Sequence, residues 1–376
     1  MGETLELQLP CAFGLEAVAA REVRGLGYGD VRTVNGRVLL TADEAAVPRL
    51  NVFVRTADRV QVVVGRFPAK DFDALFEGTK ALHWRRWLPR GCRFPVGGRS
   101  VRSQLSSVPA VQRSVKRAVV ESLGGGQIPE TGVEVPVQVT LLNDEATLAV
   151  DTTGPGLHKR GYRTRSGKAA LRETLASAVV QLSYWNAGRP LLDPFCGTGT
   201  ILIEACWWAT GRPPGLTRDF LAEPWPTLPS RLWSDAREEG HSADRRELAG
   251  PVIGCDVDGR QIAAAEEAVA AAGLSDMISL QKRPVADPPA VPDFGCLITN
   301  PPYGERLLGE DAEGLGQAYD ELAAMRRSLG TWSTYVLSGY AEAERRLGEA
   351  DRRRKLYNAK IEATLFSYFG PRPPRD

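Results

Sequence analysis

Hydrophobic and polar positions change period several times along the chain. GLEAVAAREVRGLG repeats apolar residues at helical spacing and stops on a glycine, which predicts a helix. RVLLTA and RVQVVVGRF are β-rich runs and predict strands. DFDALFEGTKALHWRRWL is expected as one helix, CRFPVGG as a strand, and VPAVQRSVKRAVVESLGGG as an amphipathic helix ending in glycines. VPVQVTLLNDEATLAVDTTG reads as a hairpin turning at Asn143-Asp144. A polar, glycine-rich stretch, Thr153 to Arg165, is expected to link two domains.

Beyond it, strands and helices alternate. ALRETLASAVVQLSYW predicts a helix, PLLDPFCGTGTILIEACWWA a strand, turn and helix, and PVIGCDVDGRQIAAAEEAVAAAG a strand and helix. FGCLITNPPYG, TWSTYVLSG and KIEATLFSYFG supply further strands, and Gly211 to Gly250 is a Pro/Trp-rich insertion. Such alternation predicts an α/β domain whose mostly parallel sheet is covered on both faces, with ligands beyond the carboxyl ends of its strands.

Composition adds three restrictions. Among 376 residues, the six cysteines are scattered without a CxxC pair and the three histidines lie far apart, so neither a disulfide framework nor a metal centre is expected. No apolar run reaches the ~20 residues that span a bilayer, and no secretory leader opens the chain, so a cytoplasmic protein, not bound to membranes, is expected. A monomer is the expected state. The net charge of +1 hides an asymmetry: residues 1–170 hold 24 Lys+Arg against 17 Asp+Glu, the remainder 23 against 29.

The surplus is concentrated. Gly78 to Val120 contains ten basic residues and no acid: Lys80, Arg85, Arg86, Arg90, Arg93, Arg99, Arg102, Arg113, Lys116 and Arg117. His83, Trp84, Trp87 and Phe94 are interleaved with them. Cations on phosphates give sequence-independent affinity for nucleic acid, and aromatic rings can stack on unpaired bases, so the run is a candidate nucleic-acid surface. A second acid-free run, His158 to Arg172, adds Lys159, Arg160 and Arg163, the two arginines being expected to brace the linker or touch the RNA backbone.

Two motifs carry chemistry. LLDPFCGTGT places Asp193 at a strand end and Gly197 and Gly199 before a helix, where the backbone can approach a ligand and unpaired N–H groups face it. It matches neither GxGxxG nor the P-loop pattern. Asp256, in VIGCDVDG, stands at the next strand's end, where a carboxylate can accept from both ribose hydroxyls; a helix N-cap is the structural alternative. The second motif, TNPPYGERL, leaves an apolar strand through Asn300. An exocyclic base amine is a poor nucleophile because its lone pair is delocalised. The Asn300 amide oxygen and the Pro301 carbonyl could each accept one N–H, freeing that lone pair, while Tyr303 offers a stacking face. Positioning then matters more than a strong base.

This constellation resembles the class I S-adenosylmethionine-dependent amino-methyltransferases. The resemblance implies that Asp193, Pro194, Phe195, Cys196, Gly197, Thr198, Gly199 and Thr200 form the cofactor loop, and that Asp256 and Val257 serve the ribose site. Within QKRPVADPPA, Asp287 is the one acid that could orient the adenine after the third strand, and Asn300, Pro301, Pro302 and Tyr303 hold the amine beside the cofactor. The motif is shared by N6-adenine DNA, N5-glutamine and N2-guanine RNA enzymes. CAFGLEAVAAREVRGLGY, LHKRGYR, AEPWPTLPSRLW and KLYNAKIEATLFSYF further resemble the bacterial 23S ribosomal RNA guanine-N2 methyltransferases. That family implies a ferredoxin-like domain (1–65), a THUMP RNA-binding domain (66–155), a linker (156–170) and a Rossmann-like catalytic domain (171–376) with a mixed, mostly parallel seven-stranded sheet. Larger members fuse a second methyltransferase domain that this chain does not show. A tRNA guanine-N2 enzyme, an enzyme acting on DNA adenine N6 or a protein glutamine, and a non-catalytic RNA-binding factor are the competing readings.

Overall fold

The computed structural model describes residues 4–126, 129–163, 171–303, 312–359 and 361–374. Two compact units emerge: Met1–Cys11, Ala20–Leu157 and Arg218–Glu239 form one; Ala12–Ala19, His158–Thr217 and Gly240–Asp376 form the other.

In the first unit β1 (Leu5–Pro10), β2 (Val31–Val34), β3 (Arg37–Ala42), β4 (Gln61–Pro68), β5 (Val96–Val101), β6 (Val137–Leu142) and β7 (Glu145–Asp151) make one sheet in the order β2-β3-β1-β4-β7-β6-β5. β4 pairs with β1 on one side and with β7 on the other, shifting register between Val63 and Gly65. A boundary at 65/66 therefore falls inside a strand that serves both halves of the sheet. Alternate residues point inward: Leu5, Leu7 and Leu9 of β1 and Val137, Val139 and Leu141 of β6 are buried. The β6–β7 hairpin turns at Asn143 and Asp144, both with positive φ (52° and 62°), the pairing a two-residue I′ turn requires.

The run expected as one helix is two: α3 (Phe72–Lys80), which follows α1 (Glu16–Gly25) and α2 (Ala46–Phe53), and the short α4 (Trp84–Trp87). The Trp84 indole donates to the Thr79 carbonyl (2.7 Å), occupying an acceptor that a continued helix would have used. α5 (Val108–Ser122) buries Val111, Val115, Ala118 and Val119 at helical spacing. Arg218–Glu239, inside the expected insertion, completes this unit: Trp225 is buried and its indole donates to the Glu134 carbonyl (2.9 Å).

The second unit contains α6 (Glu173–Leu182), β8 (Leu191–Asp193), α7 (Thr200–Ala209), the last turn of α8 (Ser230–Ala243), β9 (Val252–Asp256), α9 (Gly259–Ala271), β10 (Ile278–Lys282), β11 (Cys296–Thr299), α10 (Ala312–Ser328), β12 (Ser333–Ser338), α11 (Ala343–Leu347), β13 (Arg352–Asn358) and β14 (Ile361–Tyr368). Its sheet runs β10-β9-β8-β11-β12-β14-β13; the first five strands are parallel, and β14 is antiparallel to both β12 and β13. This is the expected mixed, mostly parallel seven-stranded sheet. Its strands are short and buried on both faces, as Leu191–Asp193, Cys296–Thr299 and Ser333–Ser338 are throughout. Two apolar layers cover it, one including Leu175, Ile203 and Val269, the other Leu192, Tyr319 and Trp332. Strand order reverses at β8, so the crevice beyond β8, β9 and β11 is where such a sheet binds ligands.

Candidate active site

Strand ends meet at that crevice. Asp193 ends β8 and is fully buried; its Oδ1 accepts from the Thr299 hydroxyl (2.6 Å) and from Phe195 N–H (3.2 Å). Burial pushes its carboxyl up to about 7, against those two donors, with Asp256 adding repulsion. Pro194 and Cys196 are buried, and Phe195 packs on one of the apolar layers. Gly197 (φ 53°) and Gly199 (φ 75°) turn the chain through the left-handed region into α7, a conformation that costs a side-chain-bearing residue strain. Thr198 is half-exposed, and its hydroxyl lies 3.5 Å from that of Thr200. Gly254 lets this turn close on β9, since a Cβ there would stand 2.5 Å from Leu202 Cδ1.

Asp256 ends β9. Its Oδ2 accepts from Gly197 N–H (3.1 Å) and its Oδ1 from Asp258 N–H (2.9 Å), so it fastens the glycine turn to the second strand. Burial also raises its carboxyl. The alternative of a helix cap falls to Asp258 instead, whose side chain accepts from Arg260 N–H at the start of α9. Val257 beside it is 68% exposed, an apolar side chain left in solvent at the crevice. Asp287 lies beyond β10 with an exposed side chain 3.8 Å from Arg283.

Asn300 follows β11. Its Oδ1 is buried and accepts no hydrogen bond from any described residue, a state that costs free energy until a donor arrives. Pro301 is buried and Pro302 half-buried. Tyr303 is 8% exposed, with its ring edge against Gly339, where a Cβ would come 2.8 Å from Tyr303 Cδ2. Gly304 to Leu307 of the motif, and 164–170 of the second basic run, lie outside the described residues.

Several basic-run expectations need correction. Arg160 is no RNA contact: its side chain is 1% exposed and pairs with Glu204, 0% exposed, at 3.2 Å. Tyr162 OH reaches the same carboxylate at 3.2 Å. Arg163 likewise faces inward, donating to the Thr200 hydroxyl and the Leu171 carbonyl (both 2.9 Å) and pairing with Glu173 (3.2 Å), so it braces the glycine turn. Trp84, Trp87 and Phe94 are buried in the first unit's core rather than presented for stacking. The acid-free run borrows acids from its flank: Lys80 pairs with Glu121 (2.6 Å), Arg93 with Glu134 and Lys116 with Glu130. Lys116 and Arg86 also sit over the Phe94 and Trp87 rings (3.8 and 5.0 Å). Arg85, Arg90, Arg99, Arg102, Arg113, Arg117 and Lys159 are exposed, and Lys80, His83, Arg85 and Arg86 line a cleft of about 390 Å³. Thr299, Tyr319, Ser338 and Gly339 also shape the site and were not singled out by sequence; only Thr299, a hydroxyl closing an apolar strand, carried a signal.

This sheet order, with a glycine turn after its first strand and acids closing the first two, defines a class I methyltransferase domain. Family models agree: residues 160–366 match the RMKL-like methyltransferase domain, 6–61 the RlmL ferredoxin-like domain and 69–151 the THUMP domain. A Bacillus subtilis (strain 168) protein named "Putative RNA methyltransferase YpsC" is 43% identical over 370 residues, 96% of this chain and 95% of its own. A Listeria monocytogenes (str. 4b F2365) crystal structure, described as a predicted N6-adenine-specific DNA methylase, is 42% identical with TM-score 0.92, covering 98% of this chain and 97% of that one. The structure of SMU.472 complexed with SAH is 38% identical with TM-score 0.92 over the full length of both. The chain belongs to the RMKL-like methyltransferase family, in the form that carries ferredoxin-like and THUMP domains ahead of the catalytic one. S-adenosylmethionine is its cofactor, and the residues present fit that group: a glycine turn open to a ligand, a carboxylate at the second strand and an exposed Val257.

Proposed function

We propose that this protein methylates the exocyclic N2 amine of a guanine in structured RNA, with 23S ribosomal RNA as the substrate. S-adenosylmethionine supplies the methyl group on a positively charged sulfur. The chain's own part is to hold the amine. Asn300 Oδ1 and the Pro301 carbonyl each accept one N–H, leaving the nitrogen lone pair directed at the sulfur. Tyr303 bounds the base pocket and stacks on the guanine. Exposed arginines of the THUMP segment bind the RNA phosphates and bring the target guanine to Asn300.

The observation that carries this reading is Asn300 Oδ1, buried and accepting from no described residue, directly after the Thr299–Asp193 bond that joins the two strand ends. An acceptor of that kind is open to an incoming N–H, as an exocyclic base amine would supply. The THUMP segment and the name of the Bacillus relative favour RNA as the acceptor. The name of the Listeria structure favours a second reading, N6-adenine in DNA. Incubating the protein with methyl-labelled cofactor and RNA or DNA from cells lacking its gene, then digesting to nucleosides, separates them. Labelled N2-methylguanosine in 23S rRNA supports the proposal. The same nucleoside in tRNA moves the substrate, and labelled N6-methyladenine in DNA replaces the reading.

A further inference from the structure

Tyr319 lies on α10, outside every sequence motif, yet it is fully buried beneath the Asn-Pro-Pro-Tyr turn. Its hydroxyl is 3.3 Å from the Pro302 carbonyl and 2.5 Å from the Ser338 hydroxyl at the end of β12. Ser338 Oγ in turn accepts from Tyr340 N–H (3.0 Å). With the Tyr319–Pro302 bond made, the direction through the group follows. The Pro302 carbonyl can only accept, so Tyr319 O–H donates to it. Ser338 O–H then donates to the Tyr319 oxygen, and Ser338 Oγ takes the Tyr340 N–H. Each bond in such a chain strengthens its neighbour.

We propose that Tyr319 is a positioning residue for methyl transfer, acting with Ser338 to fix the Pro302 carbonyl and thereby the orientation of Asn300 and Pro301. The reason is geometric. The proline pair fixes two φ angles, and each proline restricts ψ of the residue before it, but ψ of Pro302 itself stays free, so the Pro302 carbonyl can still rotate. Holding the Pro302 carbonyl on Tyr319 removes that freedom and leaves the Pro301 carbonyl for the amine. Burial raises the Tyr319 phenol above its ordinary range, which keeps it a neutral donor. Gly339 reinforces the same turn by letting Tyr303 pack against the chain immediately after Ser338. The proposal rests on the amine-holding role given to Asn300 above.

Tyr319→Phe keeps the ring and its packing, and Ser338→Ala removes the relay behind it. With RNA from cells lacking the gene, kcat is expected to fall about tenfold or more in Tyr319→Phe, because small misplacements of reacting groups are costly. KM for RNA and calorimetric affinity for S-adenosylhomocysteine stay within about twofold. The double variant is no slower than Tyr319→Phe, since both act through one chain of bonds. An unchanged kcat, or a loss of cofactor affinity in step with kcat, overturns the proposal. A second readout needs no RNA: hydrogen exchange at the Asn300 and Tyr303 amides speeds up in Tyr319→Phe while α7 is unaffected, and identical exchange overturns the inference outright. If the wild type forms no N2-methylguanosine but exchange responds as stated, the substrate reading fails and the positioning role stands.

Discussion

The Thr299 hydroxyl donates to Asp193 across 2.6 Å, joining the end of β11, from which the Asn-Pro-Pro-Tyr turn departs, to the end of β8, from which the glycine turn departs. Two strand ends 106 residues apart thus share one buried hydrogen bond, so the two turns that leave them are tied together at the sheet.

That bond has a pH signature. Burial holds the Asp193 carboxyl at about 7 in the folded state, whereas the unfolded chain titrates near ~3.9. Between those values the folded protein binds a proton that the unfolded chain does not, so this group's contribution to stability falls as pH rises from about 4 through 7 and is flat above. Asp193→Asn keeps an Oδ1 that accepts from Thr299 and Phe195 and cannot titrate. Urea midpoints of the two proteins are expected to diverge in the variant's favour as pH rises from 5 to about 8. Parallel profiles would exclude an elevated Asp193.

Asn300→Ala removes the unsatisfied amide oxygen and touches neither the glycine turn nor Asp256. Methyl transfer is expected to drop by a factor of about 100 or more, the scale seen when one preorganised polar group is removed from a transition state. S-adenosylhomocysteine binding by calorimetry and RNA binding by filter retention should stay near wild type. Folding stability should hold or rise slightly, because a buried acceptor without a donor is a cost to the native state.

The Arg160–Glu204 pair, with Glu204 on α7, sits wholly out of water. Arg160→Ala strands the Glu204 carboxylate and is expected to destabilise the protein by about 3–5 kcal/mol, while replacing both by apolar residues of similar volume recovers most of it. Thermal unfolding of the single and double variants measures this. A mild effect for the single variant would mean that Glu204 takes up a proton or is reached by water once Arg160 is gone.

Arg99, Arg102 and Arg113 are exposed, and their removal should weaken RNA binding with little change in melting temperature. For every phosphate that no longer meets a cation, the slope of log affinity against log salt flattens by about 0.7 to 0.9. Arg160 and Arg163 substitutions, by contrast, should leave that slope unchanged in any variant that folds, because both point inward.

Local patterns told most about the catalytic unit. LLDPFCGTGT is legible because a buried strand, two left-handed glycines and a helix follow one another within ten residues, and Asn143-Asp144 names its own turn. What could not be read depends on distant partners. Nothing near Arg160 announces Glu204 44 residues on, and nothing near Asp193 announces Thr299. Aromatics interleaved with arginines look alike whether they face RNA or a core. Trp84, Trp87 and Phe94 proved to be core, and the indole of Trp84 bonds the Thr79 carbonyl where the first helix ends, short of the length that spacing alone suggests. The acid-free run was acid-free only along the chain.

Residues 218–239 belong to the first compact unit although 60 residues of the second, His158–Thr217, are encoded immediately before them. During synthesis the ribosome must therefore release a long stretch of the catalytic unit before Trp225 can reach its place against Glu134. Maturation of the two units is interlocked in time, so a nascent chain stalled near residue 200 would hold an unfinished first unit, and a circular permutant opened there would assemble in a different order.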